Sequence, residues 1–198
     1  MIYDSSMIKL SKKSETEEEQ MMKDVFVEKA WTIIRGNLSG KVLDLGCGPG
    51  QITYSYRDSI RVDIQRTRAP SPFVTADACR LPFKDASFDT VVCINFLLNL
   101  ESIESVKRIL AEMKRVCRKS GRVIFEFRNS RNMLFVLKYR LARYYDASVD
   151  RLCLNTYNPG QIESILKDLG LIIINRRFIG FPLKRFAPVI FIEAEKIC

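Results

Sequence analysis

Val42-Leu43-Asp44-Leu45-Gly46-Cys47-Gly48-Pro49-Gly50 decides the fold. Its first four residues are an apolar run holding one acid, the composition of a parallel strand buried on both faces. From Gly46 onward every second residue is glycine, so the chain must turn tightly and expose bare main chain. A strand that ends in such a loop is a phosphate or nucleoside cradle in many α/β proteins. Spacing narrows the ligand. The dinucleotide fingerprint G-x-G-x-x-G would need its third glycine at Gln51, so that match fails.

Working outward, residues 59–63 read as a second strand ending in Asp63, where Rossmann-type sites take up ribose hydroxyls. The interval from the glycines to this acid is shorter than the usual gap of about 20 residues, which predicts only a short helix over 51–57. Residues 73–78 give a third strand, leading into Arg80-Leu81-Pro82-Phe83. Residues 87–96 give a fourth, with Asn95 and Phe96 at its C-terminal end beside the first strand, where open α/β sheets bind ligands. Ser102 opens a helix with the face Ile103, Val106, Leu110, Met113 and Cys117, closed by Gly121. Residues 122–128 are the fifth strand, 161–169 a last helix, and 171–178 and 188–195 two closing strands. Ahead of the glycine loop, a capping box at Ser14–Glu17 starts a helix over 14–38.

The glycine motif, Asp77 followed by a small residue and Leu81-Pro82-Phe83, and Phe88-Asp89 before an apolar run resemble class I S-adenosylmethionine-dependent methyltransferases. Within them the chain looks like the ubiquinone and menaquinone C-methyltransferase-like group. The resemblance implies an α/β, Rossmann-like sandwich: a mostly parallel seven-stranded sheet with an antiparallel last strand and helices on both faces. It implies S-adenosylmethionine as cofactor and S-adenosylhomocysteine as product. Carried over, Asp44 helps to orient the amino end of the cofactor, and Gly46, Cys47 and Gly48 lie against its methionine part. Asp63, with Ile64 beside it, falls on the ribose. Asp77 meets the adenine amino group and the Ala78 amide a ring nitrogen, while Asn95 and Phe96 complete the cofactor set.

The sequence departs from the family twice. A His pair expected after the fourth strand is replaced by Leu97-Leu98-Asn99, and the Asn/Asp-Pro-Pro-aromatic motif of exocyclic-amine enzymes is replaced by Cys93-Ile94-Asn95-Phe96. The second departure tilts the acceptor from nitrogen toward oxygen or carbon.

With 198 residues and 47% apolar content, the chain suits one domain, 1–198. Its formal charge of +9 favours anionic partners. It has no histidine and no C-x-x-C pair, which removes the usual zinc sets and any histidine base, so no metal is expected. The six cysteines read as reduced core residues, Cys47 excepted. No apolar run is long enough to span a membrane, and the N-terminus lacks a basic-then-apolar signal, which points to the cytoplasm.

Residues 129–156 are expected to cap the acceptor site. A helix over 131–145 places Leu134, Leu137, Leu141, Tyr144 and Tyr145 on one side, the side expected to pack, with Asn132, Arg140 and Arg143 broadly opposite. Phe135 and Val136 fall outside that stripe. They leave room for a second contact, with an apolar acceptor bearing a negative group or with an anionic membrane surface. Candidate acceptor contacts are Tyr3, Arg128, Tyr139 and Arg143. The catalytic residue stays open; Glu126, Tyr139 and Tyr145 are the bases to weigh. Three functions follow: a methyltransferase for a small anionic or lipid-like acceptor, a tRNA- or rRNA-modifying methyltransferase, and a cofactor-binding regulatory or scaffold protein without activity. No DNA partner is expected.

Overall fold

The computed structural model describes residues 32, 34–48, 52–67, 69–145, 154–180 and 183–197, without the side chains of residues 142, 143 and 145. Among them are seven strands: β1 (Val42–Leu45), β2 (Ser59–Asp63), β3 (Phe73–Thr75), β4 (Phe88–Cys93), β5 (Cys117–Arg128), β6 (Leu171–Ile179) and β7 (Val189–Lys196). Three α-helices accompany them: α1 (Ile103–Val116), α2 (Met133–Tyr145) and α3 (Pro159–Asp168). One sheet takes all seven strands in the order β3-β2-β1-β4-β5-β7-β6. β1 to β5 pair in parallel, and β7 alone runs against both of its neighbours. The chain therefore reverses its winding between β1 and β4, and the ends of those two strands flank the crevice where such sheets bind ligands.

Strand alternation sorts the core into two layers. Leu43, Leu45, Val91, Cys93, Val123, Phe125 and Phe127 form one with the buried faces of α1 and α3. Val42, Val92, Ile94 and Ile124 form the other with Ile34 and Phe191. Each such side chain, taken fully out of water, contributes roughly 1.5–3 kcal/mol. The helices start where polar side chains satisfy their first N–H groups. Ser102 Oγ accepts from the Ser105 amide at 3.2 Å, Asn132 Oδ1 from Phe135 at 2.9 Å, and Asn158 Oδ1 from Gly160 at 2.9 Å.

Several expectations need correction. Residues 52–57 form bends and a turn instead of a short helix, because the Thr53 side chain and carbonyl are both drawn inward by the buried groups described below. α1 stops at Val116 and β5 begins at Cys117, paired with Phe88 ahead of a register shift. Gly121 is thus no helix stop; a Cβ there would lie 2.7 Å from Cys117 Sγ and 2.8 Å from the Asp89 carbonyl, so it marks a close approach inside the sheet. The helix over 14–38 lies outside the described residues except at its end, where Thr32, Ile34 and Arg35 are helical and Gly36 turns.

The largest correction concerns α2, whose expected packing stripe faces solvent. Leu134, Leu137, Leu141 and Tyr144 are exposed, while Asn132 is buried and Phe135, Val136 and Tyr139 are half-buried. Polar ties turn the helix this way. Asn132 Nδ2 donates to the Phe186 carbonyl at 2.6 Å, and the Tyr139 hydroxyl reaches Arg128. Apolar periodicity identifies a helix face but carries no information about such ties.

Candidate functional site

The site begins where β1 ends. Gly46 and Gly48 both have left-handed backbone, φ +65° and +51°, which a side chain resists. Their surroundings differ. A Cβ on Gly46 would sit 2.2 Å from Phe96 Cδ2, so the Phe96 ring packs directly on this glycine. Among the described residues, a Cβ on Gly48 would meet nothing within 4 Å. Between them the Cys47 amide donates to the Val62 carbonyl at 3.1 Å, tying the loop to β2. Burial, helped by the charges of Asp44 and Asp63, pushes the Cys47 thiol up to about 12, which keeps it protonated and unreactive at neutral pH.

Beneath the loop lies a buried polar group. Asp44 Oδ2 accepts from Thr53 Oγ1 at 2.7 Å. The buried Arg61 guanidinium donates to the carbonyls of Thr53 and of Pro70, the latter at 3.3 Å. Burial raises Asp44 to about 6, against the opposing pull of the Thr53 hydrogen bond and the Arg61 charge. Thr53 and Arg61 were missed in the sequence. An arginine in the otherwise short, inward-facing strand Ser59-Ile60-Arg61-Val62-Asp63 was the available signal, since an arginine is rarely buried without carbonyls or acids to meet.

Asp63 ends β2 half-buried, with Oδ2 accepting from the Gly48 amide at 2.9 Å and Oδ1 from the Gln65 amide at 3.3 Å. The carboxylate therefore stands against the Gly48 amide. Ile64 beside it is exposed. Beyond β3, Asp77 is exposed and closes its own turn through the Cys79 amide at 2.8 Å, with Ala78 buried behind it.

On the other side of β1, the ends of β4 and β5 hold a second cluster. Asn95 adopts a left-handed φ of +55°. Its amide donates to Glu126 Oε1 at 3.0 Å and its Oδ1 accepts from Arg128 Nη2 at 2.7 Å. Arg128 Nη1 pairs with Glu126 Oε2 at 2.8 Å. Burial raises the Tyr139 phenol above its ordinary value, with the Arg128 charge opposing, so it stays protonated at neutral pH. The structure thus joins Asn95, Glu126, Arg128 and Tyr139, the last from α2. Tyr3 and the side chains of Arg143 and Tyr145 lie outside the described residues.

A mostly parallel sheet with this strand order, a glycine loop after β1 and an acid after β2 defines a nucleoside-cofactor domain of the Rossmann-like class. The comparisons say which proteins the chain resembles. Residues 43–125 match the family model of the methyltransferase domain. The ubiquinone/menaquinone biosynthesis C-methyltransferase UbiE of Burkholderia mallei is 33% identical over 121 residues, covering 50% of this chain and 49% of that protein. Two solved structures share the fold. A SAM-dependent methyltransferase of Methanosarcina mazei superposes with a TM-score of 0.65 at 20% identity, over 83% of this chain and 97% of that one. Magnesium protoporphyrin IX methyltransferase of Synechocystis, with bound SAH, gives 0.60 at 23% identity, over 90% and 83%. The chain is thus similar to methyltransferase domains over residues 43–125 and shares the fold of solved SAM-dependent methyltransferases. It spans 39% to 64% of the length of the curated relatives it matches first.

The residues present fit the family's cofactor. A side chain at Gly48 would fill space that no other described residue takes, and the Asp63 carboxylate held by the Gly48 amide is an acceptor suited to a diol.

Proposed function

We propose that the protein moves a methyl group from S-adenosylmethionine to an oxygen or carbon atom of a small acceptor. The observation that carries this reading is the pairing of Gly48 with Asp63 across the ends of β1 and β2. When bound, S-adenosylmethionine supplies a methyl group on a positive sulfonium, so the protein need only orient and bring the acceptor in line. Asp63 would accept from the ribose hydroxyls, Asp77 and the Ala78 amide would read the adenine edge, and the main chain of Gly46, Cys47 and Gly48 would lie along the amino-acid part. Asp44 would favour the cofactor's ammonium group from below the loop.

The acceptor side is assigned to Arg128 and Tyr139, with Asn95, read from the sequence as a cofactor residue, holding Arg128 in place. Among the described residues, neither candidate base, Glu126 nor Tyr139, is well placed to take a proton. Both Glu126 oxygens are already engaged, and Tyr139 is a protonated phenol. This favours an acceptor whose own hydroxyl ionises readily, as in phenols and enols, with Tyr139 and Arg128 donating to its oxygen. The likeness to the quinone-pathway C-methyltransferase supports the same class.

Calorimetry tests the cofactor half. Asp63→Ala removes a charge-assisted hydrogen bond, so affinity for S-adenosylhomocysteine should fall about ten- to a hundredfold. Unchanged affinity would take Asp63 out of the site. Turnover on a panel of hydroquinones and other phenols tests the acceptor half; methylation of bulk tRNA with none of these used would replace the small-molecule reading by the RNA one.

A further inference from the structure

The outer face of α2 has no part in the chemistry above. Met133, Leu134, Leu137, Leu141 and Tyr144 fall within an arc of about 100° on the helix, and they are 72%, 74%, 53%, 44% and 80% exposed. Exposure of five large side chains on one three-turn stripe demands a partner, since folded proteins rarely leave such a patch in water. A second exposed apolar element is tied to the start of the same helix. The turn Lys184–Phe186 is fixed to the base of α2 by Asn132 Nδ2 on the Phe186 carbonyl and by Asn129 Nδ2 on the Arg185 and Ala187 carbonyls at 3.0 and 2.9 Å. It adds Leu183 and Phe186, both exposed.

Charge selects the partner. Residues 129–145 and 183–187 contain Arg131, Lys138, Arg140, Arg143, Lys184 and Arg185 and no acid at all. By helical position Arg140 borders the apolar arc on one side and Lys138 on the other. A second copy of the chain would bring these basic borders together. A nucleic acid would use the charge but gain little from Met133 and three leucines, because bases stack on aromatic and guanidinium planes. An anionic bilayer uses both parts: the leucines enter the acyl boundary while the basic borders meet the headgroups.

We propose that the outer face of α2, with the Lys184–Phe186 turn, docks the protein on an anionic lipid surface. The inner face of the same helix carries Tyr139 to Arg128, so docking would set the acceptor cluster close to the bilayer.

Co-sedimentation with vesicles reads the docking without any need for turnover. The full chain should partition onto phosphatidylglycerol/phosphatidylcholine vesicles at least about tenfold better than onto phosphatidylcholine alone, and less so as salt rises. Leu134→Glu with Leu137→Glu should reduce that partition at least about tenfold, because two apolar contacts are lost and two repelled charges are added. Its affinity for S-adenosylhomocysteine should stay as in the parent. If the glutamate pair fails to fold, Leu134→Ser with Leu137→Ser reads the same loss at the same exposed positions. Equal partition onto neutral vesicles, no partition at all, or full partition by a folded double variant would overturn the proposal. So would a dimer in sedimentation equilibrium that the double variant dissolves, or displacement of α2-dependent tRNA binding by no lipid.

Discussion

The two halves of the crevice are built from different materials. At the ends of β1 and β2 the walls are main chain, two left-handed glycines and carboxylates held within a few residues of a strand end. At the ends of β4 and β5 they are side chains drawn from three distant segments: Asn95, the Glu126–Arg128 pair and Tyr139 from α2. The first arrangement holds its shape through local backbone geometry. The second holds only while an ion pair buried under a helix stays matched. A half built from backbone is fixed by local geometry, and a half built from side chains can be altered one substitution at a time.

The sharpest way to break this comparison is to remove the cation from the second half. Arg128→Met leaves the Glu126 carboxylate, only 4% exposed, without its partner. Breaking one side of such a pair costs about 3–5 kcal/mol, so urea unfolding should shift by about that much. A shift below about 1 kcal/mol would show that the cluster is not held by the pair.

Asp44 gives the next largest effect, and it concerns the first half. Its folded value near 6 lies above the ordinary 3.8, so between about pH 4 and 6 the native state holds a proton that the unfolded chain has released. Stability from this group therefore falls as pH rises through that window, by about 2–3 kcal/mol in all. Asp44→Asn, which keeps an acceptor for Thr53, should exceed the parent by about that amount at pH 7 without ligand and match it below pH 4. Parallel pH–stability curves for the two proteins would refute the burial argument. Below pH 6 the parent's affinity for the cationic cofactor should also weaken.

Gly46→Ala tests backbone against ring contact. Left-handed strain together with a Cβ 2.2 Å from the Phe96 ring should destabilise by about 2 kcal/mol or more. Phe96→Ala in the same chain should recover the part due to the clash; additive losses would mean that strain alone is responsible. The smallest effect belongs to Cys47. With a protonated thiol whose polar contact is a long one to the Gly48 carbonyl, Cys47→Ser should change cofactor affinity by less than about 0.5 kcal/mol. A larger loss in calorimetry would give the sulfur a direct role.

Much of the first half was legible before the fold was seen. Gly46, Gly48 and Asp63 are set by rules that act over a few residues, and the order of strands and acids carried the resemblance. Thr53 and Arg61 were not legible, because a turn residue and a strand arginine acquire meaning only when β2 brings them against Asp44. The second half was read in fragments. Asn95, Arg128 and Tyr139 each appeared as candidates, but hydrogen bonds between residues 33 apart decided that they form one cluster with Glu126.

The sequence by itself determined the central strand, its glycine turn, the acids that follow and the period of α2, since each depends on local sterics or on alternation of apolar residues. Tertiary structure alone decided which side of α2 turns inward. Its apolar stripe is the better hydrophobic face, yet Asn132 and Tyr139 on the opposite side find a carbonyl and a guanidinium to bond. Those two polar ties, available only once β5 and the Lys184–Phe186 turn are in place, leave the leucines outside.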